Sequence, residues 1–141
     1  METLDRSKLL AKEELEKVKV DLGKGEFVYV RQMTGRERDN FEQSLIKETR
    51  DAKGNITGYD RALGDFRAKL AVCTVCDENG KSIFIPGDAA QLSQNMSAAR
   101  LEKIVNAAQK INAISEEDKE ALVKNSVADL EDNSNSGSAE N

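Results

Sequence analysis

Residues 17–22, KVKVDL, alternate polar and apolar with period two, Gly23-Lys24-Gly25 can turn the chain, and EFVYVRQM follows at 26–33. Alternation around a glycine-rich turn predicts a β-hairpin. The returning strand is apolar on both faces, with Val28 and Val30 on one side and Phe27, Tyr29 and Met33 on the other. A strand of that kind must be covered twice. Either the sheet lies between helices or folds its own rim over the second face, or another subunit or a partner covers it.

The remaining pattern is mostly helical. Residues 4–15 predict one or two frayed turns, with Leu4, Leu9, Leu10 and Leu15 as apolar contacts. Thr34 and Glu37 have the spacing of a capping box, in which hydroxyl and carboxylate satisfy each other's backbone donors, so a helix is expected from Gly35 to about Thr49. Its stripe of Phe41, Leu45 and Ile46 is thin, and the Gly- and Asn-containing segment 51–60 reads as an exposed loop or small hairpin. Leu63, Phe66, Leu70 and Cys73 recur at helical spacing, which predicts a central core helix from about Asp60 to Cys76. Asp88 is expected to cap a short helix to about Leu92. Ser97 is expected to cap a longer one to about Asn112, with Leu101, Ile104, Val105, Ala108 and Ile111 as its buried face. Ser115 and the acidic residues after it start a last helix that fades by about Leu130. The expected fold is therefore α+β: a small N-terminal antiparallel hairpin or sheet packed against a mainly helical bundle. It forms one domain over 1–128, with a disordered acidic tail over 129–141.

Composition narrows the function classes. The chain has 141 residues, 38% hydrophobic and 33% charged, with a formal net charge of -5. Asp129, Glu131, Asp132 and Glu140 carry much of that charge, so the body is nearly neutral and lacks the basic stripe that displaces counterions from phosphates. Nucleic acid is not an expected partner. The N-terminus lacks the basic-then-apolar order of a signal peptide, and the apolar run from Leu70 to Cys76 is too short to span a bilayer, so a cytoplasmic protein is expected. Histidine is absent, which removes the commonest general base and the commonest metal ligand.

Two features nevertheless invite chemistry. Cys73 and Cys76 form a CxxC, but they fall at the end of a helical run, where the dipole disfavours thiolate, and no histidine or third cysteine completes a zinc site. The stretch from Asp77 to Asp88 has the length of an EF-hand loop, yet Lys81 stands where an oxygen ligand belongs and Ser82 where glycine permits the sharp turn. Asn79-Gly80 is better read as a tight turn, Ser82–Ile85 as a short strand, and Pro86-Gly87-Asp88 as the start of the next helix. No phosphate-binding glycine loop and no distinguishable catalytic carboxylate pair occurs, so neither an enzyme nor a cofactor is expected.

Four segments carry a resemblance: VKVDLGKGEFVYVRQMTGRERDNFE from Val18, LAVCTVCDENGKSIF from Leu70 to Phe84, GDAAQLSQ from Gly87, and ARLEKIVNAAQKINAIS from Ala99. Their order resembles the tail assembly chaperones of long-tailed, siphovirus-type bacteriophages. In similar proteins the strand runs into an M/L-T-G/A-x-E-R-D helix start. A long apolar helix then leads to C-D-E-x-G-K-x-x-F, a short D-x-x-x-L helix, and a helix ending in N-x-(I/L). The match covers about 16 to 126, and none of its motifs is catalytic.

The resemblance implies a non-enzymatic protein of the host cell cytoplasm, absent from the mature virion. Such a protein coats the aggregation-prone tape measure protein, keeps it soluble and helps recruit tail tube protein; self-association and a frameshifted longer form also occur in the family. The expected binding surface is the outer face of the hairpin, Phe27, Tyr29 and Met33. Two rivals stand beside it: a structural or adaptor protein of the phage particle, and a redox or metal protein using the CxxC.

Overall fold

The computed structural model describes residues 1–61, 65–115 and 117–118, with backbone alone for 59–61. The protein is α+β. Strands β1 (Lys17–Gly23) and β2 (Glu26–Arg31) form the expected antiparallel hairpin, with Val18 opposite Val30 and Val20 opposite Val28. Gly23 and Gly25 take φ of +88° and +75° at the turn, a left-handed backbone that costs glycine little. Val20, Leu22 and Val30 are buried on the inner face, where α5 (Ala98–Ile111) packs.

Helix α2 (Gly35–Gln43) begins at the predicted capping box: Thr34 Oγ1 accepts from the Glu37 N–H at 3.2 Å, and Glu37 Oε1 accepts from the Thr34 N–H at 2.9 Å. It ends six residues earlier than expected. Ile46–Arg50 instead forms β3, paired antiparallel with β4 (Ile56–Arg61), so the anticipated loop is the turn of a β3–β4 hairpin. Asp51 closes that turn by accepting from the Lys53 and Asn55 N–H groups, both at 2.9 Å.

The predicted central helix is α3 (Phe66–Thr74), shorter at both ends than the pattern suggested. Leu70 and Ala71 are fully buried, and Phe66 meets Phe41 edge-on at 5.6 Å between ring centroids. Leu63 lies outside the described residues. The chain leaves the helix at Val75–Cys76, β5, because those two residues pair with Val30 and Tyr29 and complete a sheet of order β1-β2-β5. Backbone groups that would have ended a helix are thereby satisfied across a sheet.

Helix α4 (Asp88–Asn95) starts with Asp88 as its first residue, rather than its cap, and the Asp88 carboxylate accepts from the Ile85 N–H at 3.0 Å. Ser97 caps α5 as expected, accepting from Arg100 N–H at 3.3 Å; Leu101, Ile104, Val105 and Ala108 are buried on its inner face. Beyond it, Ser115 and Asp118 exchange reciprocal 3.0 Å hydrogen bonds, the geometry of a further capping box. The helix expected there, and the acidic tail over 129–141, lie outside the described residues.

Candidate interaction surface

Pairing parity decides what the hairpin's outer face carries. Tyr29 opposes Lys19 and Cys76, Phe27 opposes Asp21, and Arg31 opposes Lys17, so these side chains share the face turned away from α5. Phe27 is 46% exposed and Tyr29 half-buried. Their rings meet edge-to-face, 5.6 Å apart at 87°, an arrangement in which the positive edge of one ring faces the negative face of the other. The Lys19 ammonium sits 4.1 Å from the Phe27 centroid, and that of Lys17 6.0 Å from Tyr29. Neither lysine forms an ion pair among the described residues.

Met33 does not join this pair. Strand β2 ends at Arg31, the chain turns toward the Thr34 cap, and Met33 is half-buried against the main core. Its N–H donates to Asn112 Oδ1 at 2.7 Å, which ties the end of β2 to the end of α5. The structure thus brings Phe27 and Tyr29 together and sets Met33 elsewhere.

Arg31, a residue the sequence pattern does not single out, is buried beneath this face. Its two terminal nitrogens donate to the Glu37 carboxylate at 2.9 and 2.7 Å, a bidentate pair. That hydrogen-bonded pair holds the Glu37 carboxyl below the usual carboxylate range and the Arg31 guanidinium above its own. Glu37 therefore serves two elements at once, the cap of α2 and the charge of β2. The capping spacing was visible in the sequence; the second role was not.

Burial works against a reactive thiolate at the CxxC. Cys73 is half-buried at the end of α3 and Cys76 is buried in β5; burial pushes both thiols up, away from the thiolate form. Asp77 Oδ1 accepts from the N–H groups of Asn79 (2.8 Å) and Lys81 (3.0 Å), so this carboxylate closes a turn, with Gly80 at φ +82°. The short strand expected over Ser82–Ile85 reduces to one bridge between Ser82 and Cys76, leaving Ile83 and Ile85 exposed and Phe84 half-buried. No group of three or more metal-ligating side chains occurs among the described residues. A cleft of about 350 Å³ between α2, α3 and this loop is lined largely by Phe41, Val72, Phe84, Pro86 and Ala89, with Cys73 at its wall.

Three further apolar side chains stand outside the core in the N-terminal segment. Leu4, Leu9 and Leu10 are all exposed in and around α1 (Arg6–Leu10), a helix that buries none of its residues. No described helix is long and apolar enough to cross a membrane. Comparison with protein-family models, with characterised proteins and with solved structures finds no match.

Proposed function

We propose that the chain is a non-enzymatic tail assembly chaperone of a long-tailed bacteriophage. It binds the tape measure protein, keeps it soluble and helps recruit tail tube protein, and it acts in the host cytoplasm without entering the finished particle. The sequence resemblance is the source of this reading. The observation that carries it furthest is the Phe27–Tyr29 pair, aromatic surface on the sheet face opposite a core that is already filled. Exposed aromatic area supplies large binding energy with little side-chain entropy to lose, which suits a protein that must cover another chain's apolar seam. Leu9, Leu10, Ile83 and Ile85 add apolar area outside the core.

Co-expression with the long coiled-coil-rich protein encoded downstream tests the proposal. A chaperone renders that partner soluble and co-purifies with it; a partner that stays insoluble while this chain elutes alone overturns the reading. Mass spectrometry of purified virions separates the chaperone, which is absent from them, from an adaptor, which is present.

A further inference from the structure

Among the described residues the hairpin leaves one strand edge unpaired. In the sheet order β1-β2-β5, β1 is an edge. The Gln32 N–H donates to the Glu16 carbonyl at 2.9 Å, and these residues stand opposite each other in the same register as Lys17 and Arg31. That bond fixes the parity of the ladder. Val18 and Val20 exchange hydrogen bonds with β2, whereas Lys17, Lys19 and Asp21 direct their backbone N–H and C=O groups outward from the sheet.

Three properties of this edge converge on one kind of occupant. The outward backbone groups of Lys17 and Lys19 are positioned to pair with an added strand. Their ammonium groups lie on the outer face with no ion pair among the described residues. Between them Val18 points to the inner face and is 41% exposed, while Val20 and Leu22 further along the strand are buried. An incoming strand alternates its side chains with the same period, so its residues beside Lys17 and Lys19 share their face and the residue between them covers Val18.

We propose that the β1 edge binds an extended segment of a partner protein in which an apolar residue is flanked by two carboxylates. The segment adds a fourth strand: its carboxylates lie beside Lys17 and Lys19, and its apolar residue lies against Val18. A second copy of this chain is the competing occupant, but no antiparallel register within β1 sets a carboxylate beside both lysines. Pairing centred on Lys19 sets Lys17 against Asp21 but Lys19 against itself, pairing centred on Val18 sets Lys17 against Lys19, and the irregularity at Asp21/Gly23 interrupts registers further along. The backbone edge is distinct from the Phe27–Tyr29 rings, against which the Lys17 and Lys19 ammonium groups rest, and the inference does not depend on the chaperone reading.

The test uses the full chain and a labelled, end-capped peptide of alternating Glu and Val, beside a Lys–Val peptide and a Glu–Val peptide N-methylated at alternate residues. The expected result is binding of the first alone, with slowed hydrogen exchange at the Lys17 and Lys19 amides. The double variant Lys17→Glu, Lys19→Glu should weaken the Glu–Val peptide at least about tenfold and bind the Lys–Val peptide instead, since both cross-strand charge pairs reverse. A gain of binding cannot arise from misfolding. Equal binding of the N-methylated peptide overturns the strand addition, and equal binding of both charged peptides overturns the charge selection. Absence of binding, or concentration-dependent protection of these amides in the protein alone, overturns the choice of occupant.

Discussion

Asn112 and Met33 join two ends of the fold: Asn112 Oδ1 accepts the Met33 N–H at 2.7 Å across 79 residues of sequence. The same side chain donates from Nδ2 to the Ala108 and Arg31 carbonyls, at 3.0 and 3.3 Å, and the Asn112 carbonyl accepts from Arg38 at 3.0 Å. One residue thus links α5, β2 and α2. Asn112→Ala leaves the Met33 N–H and the Arg31 carbonyl without these partners and should cost about 2 kcal/mol. Urea unfolding checks this; an unchanged midpoint would mean that water replaces the side chain without loss.

The Arg31–Glu37 pair makes stability depend on acid. The folded pKa of Glu37 is depressed, so its contribution is present above the unfolded value, near 4.5, and is lost as pH falls through the folded one. Glu37→Gln should cost about 2 kcal/mol at neutral pH, less than a fully buried pair because Glu37 is partly exposed. The difference from wild type should shrink as pH drops below about 4.5. Urea midpoints of both proteins across the acid range would show the curves converging; parallel curves would refute the coupling.

The aromatic face and Met33 should respond oppositely to substitution. Tyr29→Ser and Phe27→Ser are expected to reduce partner solubilisation while changing stability by no more than about 1 kcal/mol, since neither ring is fully buried. Met33→Ser removes a side chain packed on the core and should cost about 2 kcal/mol, with its effect on binding following from that loss. Melting curves run beside the co-expression assay separate these cases. Loss of binding with intact stability in Met33→Ser would restore it to the surface.

Thiol modification offers an independent check on the CxxC. Both thiols are raised by burial, so alkylation near pH 8 should run slower than for a free cysteine, with Cys76, the more covered of the two, the slower. Partner solubilisation should survive Cys73→Ala and Cys76→Ala together. Rapid labelling of Cys76, or loss of that activity in a folded variant, would reopen a chemical role.

Local signals were legible in the sequence and long-range ones were not. The Thr34–Glu37 box, the Ser97 cap, the hairpin around Gly23–Gly25 and the buried face of α5 follow from spacing within a few residues, and each is present. The ends of α2 and α3 were overextended because what stops them is distant pairing: Ile46–Arg50 requires β4, and Val75–Cys76 requires β2. The segment IKETR has no apolar alternation strong enough to announce a strand. Counting in twos puts Met33 on the aromatic face, but the strand has ended at Arg31. Arg31 was missed because a charged residue in an alternating strand ordinarily faces water.

The β3–β4 hairpin offers a practical handle. Among the described residues its strands make their extensive contacts with each other, and its tip, Lys53-Gly54, is exposed. A reporter sequence spliced there would hang from a self-contained stem that makes no extensive contact with β1 or β2. Loop lengthening at such a tip costs little entropy, so the tagged protein could be followed through assembly in cells.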